Sequence, residues 1–137
     1  MGKGAVFLAF LFVLAVPCSP RAEHEVYYRY TVLGYVKDGA GQERPGIPVE
    51  LVRLQTGFSY LDRTDQTGFY VIIARLGDDS AGEKLDLVAS GRRLTITARF
   101  DPANHTLERG TRVDFVGDRP VETPAAFAAT LQRFLAR

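Results

Sequence analysis

The chain has 137 residues, 46% of them hydrophobic, a formal net charge of +1 and a single cysteine. That length and apolar content suit a single domain able to bury its own core, with no bias toward disorder. The near-neutral balance lacks a clustered basic face, which excludes nucleic-acid binding driven by counterion release, and one cysteine excludes an intrachain disulfide framework.

Residues 1–22 read as a secretory signal peptide that forms an N-terminal signal helix: Lys3 supplies a positive start, Ala5 to Val16 an apolar run short for a bilayer, and Pro17 ends it. An uncleaved anchor is the alternative, and both place the domain outside the cytoplasm, periplasmic or extracellular. Cys18 follows the run and invites lipidation, although Pro17 stands where a lipobox has a small residue. Cleavage after Cys18 or Ala22 is the competing reading.

Residues 23–119 read as a β-sandwich domain. The first strand spans His24 to Asp38, with Val26, Tyr28, Tyr30, Val32 and Val36 on one face and Arg29, Thr31 and Lys37 on a wet one. Gly34 within it marks a bulge or a close backbone approach. A turn-rich loop from Asp38 leads to Ile47–Leu54, then Phe58–Arg63. Thr64-Asp65-Gln66-Thr67-Gly68 forms the sharpest local signal, an Asx-type turn whose Asp65 accepts from N–H groups ahead of it and whose Gly68 takes φ > 0. The apolar Phe69–Leu76 suits a strand covered on both sides. Lys84–Ala89, Arg92–Phe100 and Thr111–Val116 complete a set of seven strands, which predicts an all-β, antiparallel sandwich of prealbumin-like or immunoglobulin-like type. Residues 120–137 change period: Thr123 can cap, Pro124 suits the first helical position, and Phe127, Leu131, Phe134 and Leu135 form the stripe of a short amphipathic helix.

Gly34-Tyr35-Val36, Asp38 and Gly41, then Pro45-Gly46-Ile47-Pro48-Val49-Glu50-Leu51, then Thr64 to Tyr70, resemble the carboxypeptidase regulatory-like domains of the transthyretin-like sandwich group. The resemblance covers roughly Tyr30 to Leu76 and implies a seven-stranded prealbumin-like sandwich used as an accessory or binding module of exported proteins. It implies no active site, because the matching residues are structural in that family, with Asp38, Asp65 and Gly68 as turn residues. The 5-hydroxyisourate hydrolase branch of the group ends in Tyr-Arg-Gly-Ser, whereas this chain ends Phe134-Leu135-Ala136-Arg137.

Two candidate sites follow from residue types. Tyr28, Tyr30 and Tyr35 offer an aromatic platform for a carbohydrate or protein, against cross-strand packing as the alternative. His24 and His105 are the two histidines and could join carboxylates on a metal ion, although no metal-ligand spacing fixes them. Asp38, Asp65, Asp78 and Asp79 could hold Ca²⁺ if their loops converged, or cap turns. The reading is an exported, non-enzymatic module without a cofactor that binds an envelope protein or carbohydrate. A structural or assembly subunit docking through the terminal helix or an edge strand is the second reading, and a periplasmic metal-binding protein the third. Membrane contact enters only through an uncleaved signal or a lipidated Cys18.

Overall fold

In a computed structural model the described residues are 26–137 together with Gly4, so the signal segment, Cys18 and His24 lie outside them. The chain is mostly β. A 3₁₀ turn (Val26–Tyr28) precedes β1 (Tyr30–Lys37), β2 (Pro48–Arg53), β3 (Ser59–Arg63), β4 (Phe69–Ala74), β5 (Lys84–Ala89), β6 (Arg92–Thr97), β7 (Gly110–Val116) and β8 (Arg119–Glu122). A 3₁₀ turn (Pro124–Ala126) then runs into α1 (Phe127–Leu135). Two four-stranded sheets, ordered β4-β1-β7-β8 and β3-β2-β5-β6, pack in a sandwich-like arrangement about one core. Among the described residues no helix is long and apolar enough to cross a membrane.

Five expectations are corrected. The strands number eight, not seven, because β8 pairs antiparallel with β7 across Gly117-Asp118. Gly117 there has φ +58°, as a two-residue hairpin loop requires, and Pro120 is tolerated because β8 is an edge strand. The sheets are not wholly antiparallel, since β1 and β7 run parallel. The first strand has no wet face: Tyr30, Val32 and Val36 enter the inter-sheet core, while Leu33 and Tyr35 on the opposite face meet Phe69, Val71, Phe127, Leu131 and Phe134. The helix stripe supplies that second cover, so Thr31 is also buried. Conversely β4 is doubly covered only near its start, and Ile73 is exposed. Pro124 opens the terminal turn as its ring geometry favours, but the Thr123 side chain makes no cap.

The β1–β7 ladder is interrupted at its centre. Leu33 pairs with Arg112 and Val36 with Phe115, and between these pairs Gly34 lies so close to β7 that a Cβ would fall 1.8 Å from the Val113 carbonyl oxygen. That buried carbonyl accepts instead from the Tyr70 hydroxyl at 2.6 Å, and the Tyr35 N–H donates to Asp114 Oδ1 at 2.9 Å. Two side chains thus satisfy the backbone groups that the gap leaves, as burial demands. Burial, and next the Asp114 charge, push the Tyr70 phenol well above its ordinary range, so it stays a donor.

The Asx-type turn is built as the sequence predicts. Asp65 Oδ1 accepts from Thr67 N–H at 2.8 Å, Thr67 Oγ1 at 2.7 Å and Phe69 N–H at 3.1 Å, and Gly68 has φ +78°. Burial opposes the carboxylate, but those bonds hold its pKa below the ordinary value.

Gly34→Ala must therefore displace backbone, with an expected loss of about 3 kcal/mol or more, whereas Gly39→Ala, with nothing within 4 Å of the added carbon, should change stability by less than about 0.5 kcal/mol. Urea denaturation of both variants checks the contrast.

Candidate functional site

The proposed residues do not assemble as their types suggested. Tyr30 is in the core, Tyr28 lies exposed in the first 3₁₀ turn, and Tyr35 packs on Phe69 with Lys37 and Arg112 over its ring, so the three share no outward face. His24 lies outside the described residues, and His105 Nε2 meets Asp78 Oδ2 at 2.9 Å with its ring against Tyr27. Among the described residues no three His, Cys, Asp or Glu side chains gather in a way that could hold a metal. Three of the four aspartates offered for Ca²⁺ do other work: Asp38 accepts from Ala40 and Gln42, Asp65 holds its turn, and Asp78 bonds Arg109 and His105. Those two partners, Arg109 foremost, hold the Asp78 carboxyl below its ordinary pKa.

What the fold does bring together is one end of the sandwich, where β1 and β7 begin and β6 ends. Two clefts of about 210 Å³ each meet there and share Arg99 and Gly110. One is walled by the loop that joins β6 to β7, through Phe100, Asp101, Asn104, Glu108 and Arg109. The other lies between the ends of β6 and β8, lined by Tyr30, Thr97, Arg99, Thr111, Glu122 and Pro124.

The arginines at this end differ in what they do. Arg109 is buried, stacks its guanidinium 4.3 Å from the Phe100 ring centre and ties the loop through Asp78 Oδ1 at 2.8 Å, Tyr27 O at 3.2 Å and the carbonyls of Pro102 and Asn104. Among the described residues its Nε has no hydrogen-bond partner. Arg29 pairs with Glu108 through both carboxylate oxygens, and Arg53 with Glu83 in the same way at 2.8 and 2.9 Å. Arg99 is exposed, and among the described residues its guanidinium makes no ion pair and no hydrogen bond.

Facing Arg99 in the second cleft is the Tyr30 phenol. Burial first, and the Glu122 charge next, push it up to about 12, with the Arg99 amide and guanidinium acting in the other direction. It stays protonated and can donate at neutral pH. Glu122 accepts from the Thr111 hydroxyl with Oε2 at 2.8 Å and lines the same cleft. The cleft thus holds a cation, a neutral hydroxyl donor and a carboxylate acceptor.

Sequence reasoning missed Arg99 and Glu122 as a pair. Arg99 falls within the Arg92–Phe100 segment, where Arg92 and Arg93 are exposed as well and nothing in the pattern sets it apart. Glu122 belongs to β8, whose signal was the Gly117-Asp118 dipeptide between Val113-Asp114-Phe115 and Val121.

The class that this geometry defines is a mostly β domain of two four-stranded sheets with one short C-terminal helix. No family model and no curated protein matches the chain. Among solved structures it is similar to the dioxygenase domain of a dioxygenase carbohydrate-binding protein fusion from Streptomyces sp. SirexAA-E, at 18% identity over 71% of this chain and 84% of that one, TM-score 0.46. It is similar also to 3-chlorocatechol 1,2-dioxygenase from Rhodococcus opacus 1CP, at 13% identity over 71% and 62% of the two chains, TM-score 0.41. A third is catechol 1,2-dioxygenase from Acinetobacter sp. ADP1, at 15% identity over 82% and 50%, TM-score 0.35.

These findings correct the expectation of a non-enzymatic module that binds an envelope protein or carbohydrate, and with it the assembly-subunit and metal-binding alternatives. The solved structures that resemble the chain are a dioxygenase domain and two dioxygenases. Identities this low and TM-scores below 0.5 carry no activity from those proteins to this chain.

The Tyr30 phenol gives a stability signature. Its folded pKa of about 12 lies above the ordinary 10.0, so its contribution is whole below pH 10.0 and is lost as pH rises through about 12. Tyr30→Phe should flatten the fall of stability over that window relative to the native chain. Denaturation measured across the alkaline range checks it, and an unchanged slope contradicts the assignment.

Proposed function

We propose that the chain binds a small anionic molecule in the clefts that meet at Arg99. The single observation that carries this reading is the position of that guanidinium. It lies at the junction of both clefts and has no carboxylate of its own among the described residues, while Arg29, Arg53 and Arg109 at the same end are tied to Glu108, Glu83 and Asp78. A guanidinium presents a planar fork of donors that matches carboxylate or phosphate oxygens. The stacking of Arg109 on Phe100 fixes the loop that forms one wall. A cleft of about 210 Å³ accommodates a ligand of metabolite size. Tyr30 and Glu122 supply a proton donor and a proton acceptor beside it, the pair that acid–base chemistry uses.

We propose further that the domain is exported and is akin to the carboxypeptidase regulatory-like sandwiches of prealbumin-like type. The apolar run Ala5 to Val16 supports export, and the built Asp65-Gly68 corner together with the close approach at Gly34 supports the kinship.

The test is thermal stabilisation of the full chain by acetate, propionate, lactate and inorganic phosphate, because a ligand that binds the folded state raises its stability with concentration. Saturable stabilisation by at least one of them is expected, abolished in Arg99→Ala and kept in Arg133→Ala, which alters an exposed position on α1. No stabilisation by any of the four, or stabilisation indifferent to Arg99→Ala, overturns the proposal.

A further inference from the structure

The two clefts are chemically unequal. Both contain Arg99, but only the one bounded by β6 and β8 sets Arg99 in the same small space as the Tyr30 hydroxyl and the Glu122 carboxylate. A site for a bare anion gains nothing from a carboxylate in its wall, since like charges repel across so short a span. Among the described residues Glu122 is moreover not paired with a cation of the protein: it accepts from the neutral Thr111 hydroxyl, which engages Oε2 alone. An acceptor oxygen beside a free guanidinium is complementary to a ligand that carries a donor next to its anionic group.

We infer that the cleft between β6 and β8 is built for a small 2-hydroxy or 2-amino carboxylate, with the ligand carboxylate on Arg99 and its hydroxyl or ammonium on Glu122. This rests on the reading of the Arg99 clefts as a small-anion site and names the class of molecule it takes. The Tyr30 hydroxyl donates to the ligand from the core side, and Gly110 completes the lining. Specificity then comes from Glu122: the matched ligand donates to its carboxylate, a hydrogen bond to a charged group that an analogue without the donor cannot make.

The experiment is calorimetric titration of the full chain with propionate, lactate and alanine, three molecules of nearly equal size that differ at the second carbon. Lactate and alanine should bind about 10- to 100-fold more tightly than propionate, the worth of one hydrogen bond to a charged group. Arg99→Ala should weaken all three. Glu122→Gln keeps an acceptor for Thr111, so it should fold, leave propionate unchanged and remove most of the advantage of alanine, whose ammonium needs the charge. Equal affinity of the native chain for the three, with Arg99 still required, overturns the inference and leaves the anion site standing. Retention of the alanine advantage in Glu122→Gln overturns it as well. Failure of all three and of inorganic phosphate to bind overturns both.

Discussion

The Val113 carbonyl is the point on which the sandwich turns. A parallel strand pair in the middle of a sheet would ordinarily carry an unbroken ladder, but Gly34 brings β1 so near to β7 that the ladder lapses, and the Tyr70 hydroxyl from β4 takes the orphaned oxygen. Asp114 repairs the other side through the Tyr35 N–H and is itself gripped by Arg112, whose Nη1 reaches Thr130 on α1 at 2.9 Å. One chain of polar contacts thus joins three strands to the helix. It explains why the helix sits where it does: Phe127 lies against Gly110, and Leu131 against the outer side of the first strand.

That arrangement sets the end of the molecule where the two clefts meet. Fixing β1 against β7 also fixes where both begin, which places Tyr30, Gly110 and Thr111 along one wall. The β6–β7 connection must then cross the same end, and Arg109 pins it by stacking on Phe100 and gathering loop carbonyls. Arginine is used here in two ways. Where it is paired or stacked it is architecture, and where it stands at a cleft without a partner it is available for a ligand.

Much of the fold was legible in the sequence because period-2 alternation and turn chemistry are local. Lys84–Ala89 has the predicted bounds, the Asp65-Gly68 corner forms with the expected donors, and Gly34 marks a close approach. Pairing is not local, so nothing in Thr111–Val116 announced a parallel partner in β1. The buried Thr31 was assigned to solvent because the cover comes from α1, almost a hundred residues away in sequence. Pro120 hid β8, since proline argues against a strand unless the strand is known to be an edge. The candidate site was hidden for the same reason. Tyr30, Arg99 and Glu122 come from three separate strands or their ends, and none carries a motif. The aromatic cluster drew attention by density, yet its members face different directions.

The central claim is that ligand chemistry gathers at the Arg99 end rather than on the open face of the β3-β2-β5-β6 sheet. Backbone and arginine side-chain NMR shifts followed during lactate addition test it most directly. The account predicts saturable changes at Tyr30, Thr97, Arg99, Gly110, Thr111 and Glu122. Changes centred on Glu50, Leu61 and Val88, which share the open face of the other sheet, would contradict it.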